Sequence, residues 1–394
     1  MSVAAAVTPP ISTVTPQPIR VMIVDDAVVV RGLVSRWVNA EPDLKIVASL
    51  RTGQDALDEL QRADPEVVLL DVDMPVLDGI AALPLLLQRR SNLAVIMVST
   101  ITRRNAEVTL KALSLGAADY VPKPETNHEI TTSETFRYEL IEKIRQIGWR
   151  RRGRRFVPSS PGPAAPAERL RKPLTSEGNV QALQTLQQPA EIKLRPLVGS
   201  APRVLLIGAS TGGPQALDTV LSSLGSVIDR APVLITQHMP PTFTTILAEH
   251  LTRVSGRPAR EATHGEPILA GNVYVAPGGR HMQVARLEGT AVAQIDNGPP
   301  VNFCKPAVDP LFGSAAKVWG GWNLAVVLTG MGSDGTEGAA EIVAAGGNVL
   351  AQDEATSVVW GMPGSVAHAG HCAAVLPLHR IAPQITRLFI GDRQ

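Results

Sequence analysis

The sequence has few cysteines, little net charge and no long hydrophobic run. Its 394 residues include two cysteines, Cys304 and Cys372, in different motifs. This excludes a disulfide framework and a zinc-binding spacing, and we interpret both residues as simple apolar side chains. The formal net charge is +1, so no overall field favours binding of nucleic acid or of a membrane surface.

The apolar runs are too short for a membrane protein. None of them approaches the ~18 residues of a membrane span. The residues before Arg20 contain four prolines and no basic residue, which does not fit the charged start and apolar stretch of a signal peptide. We therefore expect a cytoplasmic protein that does not insert directly into a membrane.

The chain does contain two stretches in which short apolar runs alternate with helical patterns. Such alternation predicts doubly wound, mostly parallel α/β domains, the first with (βα)5 organisation. We predict domains at 20–146 and 201–394, joined by a linker at 147–200 that holds seven prolines after residue 157. The predicted strands are Val21–Val24, Lys45–Ser49, Val67–Asp71, Ala94–Ser99, Tyr120–Val121, Val204–Ile207, Val233–Gln237, Val273–Ala276, Leu324–Thr329 and Asn348–Ala351.

Acidic residues follow the strands of the first predicted domain. Asp25 and Asp26 follow the first run, and Asp71 ends the third. Because the carboxyl ends of parallel strands meet at one edge, these carboxylates should converge, and they would repel each other without a cation. Oxygen ligands suit Mg²⁺, which keeps waters that a phosphoryl group can replace. Asp71 is therefore a candidate nucleophile toward a phosphodonor.

Polar residues that could contact a phosphoryl group follow the later strands. Ser99 and Thr100 end the fourth run, and either hydroxyl could donate a hydrogen bond to the phosphoryl oxygens. Lys123 follows the fifth run and could form an ion pair with the same group. The alternative interpretation of these positions is a solvated, acidic loop rim.

With these residues at the ends of four strands, the first half resembles the receiver domain of two-component response regulators. The resemblance implies that Asp71 is phosphorylated with Mg²⁺ bound. It also implies that Asp25 and Asp26 supply metal ligands and that Asp73 contributes its backbone carbonyl. Three further positions match the switch hydroxyl, the switch aromatic residue and the lysine of the family pattern: Ser99, Tyr120 and Lys123.

The second half offers a candidate nucleophile, Ser210, at the end of an apolar run. Residues Gly208–Gly212 match G-x-S-x-G, and Pro214 can begin a helix. A serine at this place projects from the carboxyl end of a strand, where open α/β sheets carry their chemistry. The pattern is short, and a tight turn that requires small residues is the alternative. A phosphate-binding loop is disfavoured, because Ser210 replaces the second glycine of G-x-G-x-x-G.

A nucleophilic serine needs a base and an acid that orients the base. Two histidines closely follow strands, His238 and His281, and the residue pattern alone does not separate them. Asp334, in a glycine-rich turn after a strand, and Asp309, beside prolines in a helical context, are the candidate acids. A structural helix cap is the alternative role of Asp309.

The second half resembles the methylesterase domain of the CheB chemotaxis family. The matching strings are GASTGGP, TQHMPPTFT, VYVAPGGRHM, VLTGMGSDG and AQDEATSVVWGMPGSV, which lie in the family's order within 201–376. The resemblance implies that Ser210 is the nucleophile and that His238 is the general base and acid, oriented by Asp334. It further implies that the backbone N–H of Met331 binds the oxyanion.

The combined resemblance implies a phosphorylation-activated protein-glutamate methylesterase that also deamidates glutamines. Its substrates would be methyl-accepting chemotaxis receptors, and its phosphodonor a chemotaxis histidine kinase. Mg²⁺ would serve the receiver domain, and the esterase would need no cofactor. The alternative is a response regulator with a non-catalytic or DNA-binding output. That alternative rests on the arginine run at 150–155 and lacks a helix-turn-helix pattern.

The sequence departs from the family pattern in one segment. Relatives usually carry an arginine and a serine just before the Val308-Asp309 pair, whereas this chain has Cys304-Lys305-Pro306-Ala307. Lysine keeps the positive charge and loses the bidentate geometry of a guanidinium. We therefore expect this segment to affect substrate affinity or partner choice, with the Ser210, His238 and Asp334 set intact.

Overall fold

The computed structural model describes residues 17–123, 134–153, 192–198 and 201–391. Two parallel sheets organise these residues, each with helices on both faces. The central strands are buried along their whole length, as in β3 (Val67–Asp71) and β6 (Val204–Ala209), and apart from Asp71 at the end of β3 these two consist of apolar residues and glycine. Burial on both faces requires nearly continuous runs of valine, leucine and isoleucine, which is the pattern in the sequence. The predicted fold class is confirmed.

The first sheet has five strands in the order β2-β1-β3-β4-β5, all parallel. Besides β3, its strands are β1 (Ile19–Val24), β2 (Leu44–Leu50), β4 (Ala94–Thr100) and β5 (Asp119–Lys123). The helices are α1 (Val28–Asn39), α2 (Gly53–Ala63), α3 (Gly79–Arg89), α4 (Arg103–Ser114) and α5 (Glu134–Arg151). The switch point of this topology lies between β1 and β3, which is where such sheets bind their ligands.

The second sheet has seven parallel strands in the order β14-β13-β12-β6-β7-β9-β8. Besides β6, they are β7 (Val233–Gln237), β8 (Ala259–Glu261), β9 (Val273–Val275), β12 (Asn323–Val327), β13 (Asn348–Gln352) and β14 (Ala374–Leu376). The helices are α6 (Gly213–Leu221), α7 (Gly225–Ile228), α8 (Phe243–Ser255), α9 (Val308–Trp319), α10 (Thr336–Ala344), α11 (Met362–His368) and α12 (Leu378–Ile390), and a 3₁₀ turn spans Gly320–Trp322. The switch point lies between β6 and β12.

Four strands of the second domain are absent from the sequence prediction. Two of them, β8 and β14, have three residues each, which is too short for any periodicity to show. The other two, β10 (His281–Leu287) and β11 (Thr290–Asp296), form a separate antiparallel hairpin. Their residues alternate weakly between buried and exposed positions, so the pattern is unlike that of the central strands.

The last helix of the first domain continues beyond residue 146. Helix α5 extends to Arg151, because Ile147 is buried in the core of this domain. Arg152 follows and pairs with Glu66, while Arg150 donates to the carbonyl of Ala355 at 2.8 Å. Residues 154 and 155 of this arginine run, like most of the predicted linker, lie among 154–191 and outside the described residues. No helix in the described ranges is both long enough and apolar enough to span a bilayer.

Candidate active site and acidic site

Ser210 directly follows β6, at the switch point of the second sheet. Its N–H donates to the carbonyl of Thr329, 3.0 Å away, and its own carbonyl accepts from the N–H of Gly213 at 2.7 Å. A Cβ at Gly213 would overlap the side-chain oxygen of Gln237, so this turn requires glycine. The glycines of the motif therefore serve the sharp turn that places the Ser210 hydroxyl at the sheet edge.

His238 and Asp334 meet beside this turn. His238 follows β7, which pairs with β6, and its N–H donates to the carbonyl of Ala209 at 3.1 Å. The Nε2 atom of His238 lies 2.7 Å from Oδ2 of Asp334, and the side chains are 11% and 2% exposed. The sheet thus brings a histidine and a buried carboxylate from two different strand ends into direct contact.

Backbone N–H groups hold the Asp334 carboxylate. Oδ2 accepts from Val308 at 2.6 Å, and Oδ1 accepts from Asp309 at 3.1 Å and from Gly335 at 2.9 Å. Two of these donors are the first residues of α9, whose free N–H groups and dipole favour a negative charge. Asp334 is therefore fixed in position as an anion.

The pair shifts the pKa of both partners. Burial works against the imidazolium of His238, but the Asp334 carboxylate and the Cys304 thiol together outweigh it and raise the histidine pKa to about 10. Burial likewise opposes ionisation of Asp334, yet the contact with His238 and the backbone donors lower its pKa. The site therefore favours an imidazolium beside a carboxylate, the charge pair that a histidine base produces when it accepts a proton.

The Ser210 hydroxyl makes no hydrogen bond within the described residues. Hydrogen bonds of this kind often tighten only when substrate binds. Gly330 approaches closely, since a Cβ there would lie 2.8 Å from Cβ of Ser210. The next residue is Met331, whose N–H donates no hydrogen bond in the described part of the chain. The turn after β12 thus presents a free donor near the serine.

The two competing residues are engaged elsewhere. Nε2 of His281 lies 3.0 Å from the carbonyl of Pro299, and its Nδ1 accepts from the N–H of Ala307 at 3.2 Å. The Asp309 carboxylate accepts from the N–H of Gly338 at 2.7 Å and from Nδ2 of Asn302 at 3.1 Å. Burial raises the pKa of Asp309 to about 7. The side chains of His281 and Asp309 are thus held by other partners.

One contact at this site is missing from the sequence interpretation. Cys304 was interpreted as a simple apolar residue, but it is only half-buried, and its thiol contributes to the raised pKa of His238. Cys372, in contrast, is buried in the apolar core. Two cysteines without a shared motif carry no signal for this difference, which depends on how the segment before α9 folds back.

The first sheet presents the predicted acidic cluster. Carboxylate oxygens of Asp25, Asp26 and Asp71 lie within 4.8 Å of one another, close enough to bind one cation. Nζ of Lys123 lies 2.6 Å from Oδ2 of Asp25 and 2.9 Å from Oδ2 of Asp71. One lysine cannot neutralise three carboxylates, and an all-oxygen donor set suits Mg²⁺. The residues therefore fit a metal of this kind.

The pKa of Asp71 is strongly perturbed by its surroundings. Its burial, with Asp25 adding to the effect, raises the pKa to about 6 although Lys123 opposes the shift. A bound cation would stabilise the carboxylate in place of a proton. Thus the free site holds an excess of negative charge that a metal would relieve.

The side chains beside the cluster are tied to helix α4. The hydroxyl of Ser99 lies 3.0 Å from that of Thr109, and Nδ2 of Asn105 donates to the side chains of Asp73 and Thr100. Thr109 and Asn105 are absent from the sequence prediction, because they follow no strand and only the packing of α4 brings them to the site.

Comparison with known proteins identifies the family. The model of the CheB methylesterase family matches residues 205–385, and that of the response regulator receiver domain matches 21–133. The chain is 60% identical, over all of both chains, to a protein-glutamate methylesterase/protein-glutamine glutaminase of group 2 operon from Rhodopseudomonas palustris strain CGA009. A protein-glutamate methylesterase/protein-glutamine glutaminase from strain BisB5 is 59% identical with the same full coverage. The chain belongs to this family. The family predicted from the sequence is therefore confirmed.

The receiver domain packs against the methylesterase domain next to the serine site. The ring of Tyr120 in β5 stacks on that of Phe243 at the start of α8, with centroids 4.9 Å apart and planes 6° from parallel. Val359 joins the hydrophobic cluster built by α1 and α5, and Met331 packs against the same cluster. The turn that offers a free N–H near Ser210 is thus in contact with the receiver domain.

Polar contacts accompany this packing. Gln215 in α6 donates its amide to the carbonyl of Ala117 at 2.8 Å and to that of Leu113 at the end of α4. On the exposed rim, Nη2 of Arg103 lies 2.8 Å from Oε1 of Glu249. The interface therefore links α4, which also contacts the acidic site, to the two helices that follow β6 and β7.

Proposed function

We propose that this protein hydrolyses glutamate γ-methyl esters, and deamidates glutamines, on methyl-accepting chemotaxis receptors. The observation that carries the proposal is the contact between His238 and Asp334 beside Ser210, at the switch point of a sheet in a chain of this family. The full-length relatives are named as protein-glutamate methylesterases and glutaminases, which supports both reactions.

The reaction begins with attack of the Ser210 hydroxyl on the ester carbonyl. The ring nitrogen of His238 that does not face Asp334 takes the hydroxyl proton, and Asp334 stabilises the resulting imidazolium. The Met331 N–H donates to the oxyanion of the tetrahedral intermediate. His238 then protonates the departing methanol, and a water molecule activated by the same histidine hydrolyses the acyl-serine. With a glutamine substrate, ammonia leaves instead of methanol.

We further propose that the receiver domain controls this site through Asp71. Asp25, Asp26 and Asp71, with the backbone carbonyl of Asp73, would hold Mg²⁺, which neutralises charge during phosphoryl transfer from a chemotaxis histidine kinase. Lys123 would then pair with the phosphoryl group instead of the free carboxylates.

The switch residues connect the phosphoryl group to the domain interface. Ser99 would release Thr109 of α4 to contact the phosphoryl group, and Tyr120 would leave its stack on Phe243. Because a modification shifts a conformational equilibrium only by stabilising one state more than the other, the interface contacts of the free form are what phosphorylation must overcome. The packing of Met331 and Tyr120 supports a free form in which the receiver domain obstructs the serine site.

The proposed chemistry is tested by methanol release from methylated receptor fragments. We expect Ser210→Ala to lower the rate by at least about 1000-fold, because the nucleophile is lost. Ser223→Ala, at an exposed serine between α6 and α7, is the matched control and should keep the full rate. Full methanol release by Ser210→Ala would contradict the assignment of the nucleophile.

A further inference from the structure

A tight turn beside the serine site carries an unusually placed aromatic residue. The N–H of Cys304 donates to the carbonyl of Val301 at 2.8 Å, and the reverse hydrogen bond measures 3.1 Å. The two residues between them, Asn302 and Phe303, both have left-handed backbones, with φ of 50° and 63°. Two-residue turns of this kind favour asparagine followed by glycine, and a bulky residue with positive φ is strained.

Packing within the domain does not offset the backbone strain at Phe303. Its side chain is 94% exposed, the highest value among the large hydrophobic residues of the described chain. A glycine at this position would remove the strain, and a polar residue would remove the exposed apolar surface. The folded domain thus gains nothing from phenylalanine here, which points to a contact with another molecule.

The turn is anchored to the proposed catalytic residues. Nδ2 of Asn302 donates to Oδ2 of Asp309, whose N–H in turn donates to Asp334. The following residue, Cys304, interacts with His238. Phe303 therefore lies between one residue hydrogen-bonded to the neighbour of Asp334 and another whose thiol raises the pKa of His238, on a turn that two backbone hydrogen bonds hold in place.

We propose that Phe303 is a specificity-determining residue that packs on apolar side chains flanking the methylated glutamate of the receptor. The inference rests on the proposed function and adds a binding role for Phe303, which directly precedes the segment 304–307. Phe303 is exposed while the receiver domain packs against Met331, so receptor contact through Phe303 does not require that the domains separate. A contact made equally in the ground and transition states lowers KM and leaves kcat unchanged.

The test compares two substrates across variants of the full-length protein. For Phe303→Ala we expect kcat/KM on methylated receptor fragments to fall about tenfold, nearly all of it through KM, since burial of an aromatic side chain is lost. Hydrolysis of p-nitrophenyl acetate, which has no residues flanking its ester, should be unchanged. Phe303→Trp should keep receptor activity. Leu287→Ala, at the 60% exposed end of β10, is the matched surface control and should leave both activities unchanged.

A further variant separates binding from a structural role. Phe303→Gly relieves the positive φ and should keep or raise the Tm, yet lose receptor activity as Phe303→Ala does. Unchanged receptor kcat/KM in both variants would overturn the inference while leaving the proposed esterase intact. An equal loss on receptor and on p-nitrophenyl acetate would also overturn it, because the residue would then act on the catalytic groups. If the wild-type protein releases no methanol but hydrolyses p-nitrophenyl acetate, the proposed receptor substrate is wrong and the inference falls with it.

Discussion

The two sheets of this protein end in edges with opposite electrostatic design. At the edge of the first sheet, three carboxylates lie within 4.8 Å and one lysine pairs with two of them, so negative charge is left uncompensated. At the edge of the second, one carboxylate, Asp334, accepts from three backbone N–H groups and contacts His238. The first cluster needs a charged ligand to balance its carboxylates, whereas in the second site the carboxylate of Asp334 is already stabilised by protein groups.

This difference shows how one topology supports two chemistries. Both sites occupy the switch point of a parallel sheet, as the fold dictates. The residues at the strand ends then decide what each site does. An uncompensated cluster responds to its ligands and suits a regulatory role, and a preorganised ion pair keeps its geometry through a reaction cycle. The domain interface, which includes Tyr120, Gln215 and Met331, lies between the acidic site and the serine site.

Removal of the carboxylate charge at the second edge should have the largest effect. We expect Asp334→Asn to lower kcat for methanol release by about 1000- to 10,000-fold, because the amide no longer stabilises the imidazolium. Asp309→Asn, at the neighbouring acid that does not touch His238, is the matched control and should cost less than about tenfold. Comparable losses in the two variants, with equal Tm, would contradict the assignment of Asp334 as the orienting acid.

The pH dependence of the esterase should report the same ion pair. Because Asp334 raises the pKa of His238, the neutral base forms only above the ordinary histidine range. The kcat/KM should rise about tenfold per pH unit below that pKa and level off above it. The apparent pKa of wild-type kcat/KM should therefore exceed 6.5, and Asp334→Asn should move it downward. A wild-type value below 6.5 would mean that burial, rather than the carboxylate, dominates this histidine.

The same pKa shift has a consequence for stability. A group whose pKa is raised in the folded state stabilises the protein fully below its unfolded pKa and loses that contribution as pH rises through the folded value. The stabilising effect of the His238 and Asp334 pair should therefore decline at alkaline pH. The urea unfolding free energies of the wild type and of His238→Ala should therefore differ most just below about pH 6.5, the ordinary histidine pKa, and converge at alkaline pH.

Substitutions at the interface between the two domains should change the esterase rate less than those at the serine site. Gln215→Ala removes two hydrogen bonds that join α6 to the receiver domain, each with a net value of about 0.5–1.5 kcal/mol. We expect the basal esterase rate without phosphodonor to rise about fivefold, as the closed form is less populated. Arg103→Ala breaks an exposed ion pair with Glu249 across the interface and an exposed pair with Glu107 within α4, so its effect should stay below about twofold. A larger effect from Arg103→Ala than from Gln215→Ala would contradict this ranking of the interface.

Sequence reasoning finds the residues that follow strands and misses those that depend on tertiary packing. Ser210 and Asp71 each end an apolar run, so their location follows from local pattern and sheet topology. Local pattern does not decide between His238 and His281, because both residues follow strands. Only the structure shows that both ring nitrogens of His281 are engaged by other groups. Local sequence likewise gives no sign that α9 directs its N–H groups at Asp334, or that Gln215 reaches the receiver domain.

The most direct test of the coupling between the two edges is methanol release with and without acetyl phosphate and Mg²⁺, for the wild type and for Asp71→Asn. We predict a rate increase between about 5- and 150-fold in the wild type, the usual range of coupling between two sites. Asp71→Asn should keep the basal rate and show no increase. An equal increase in both proteins, or none in a wild type shown to carry the acyl phosphate, would contradict control of the serine site through Asp71.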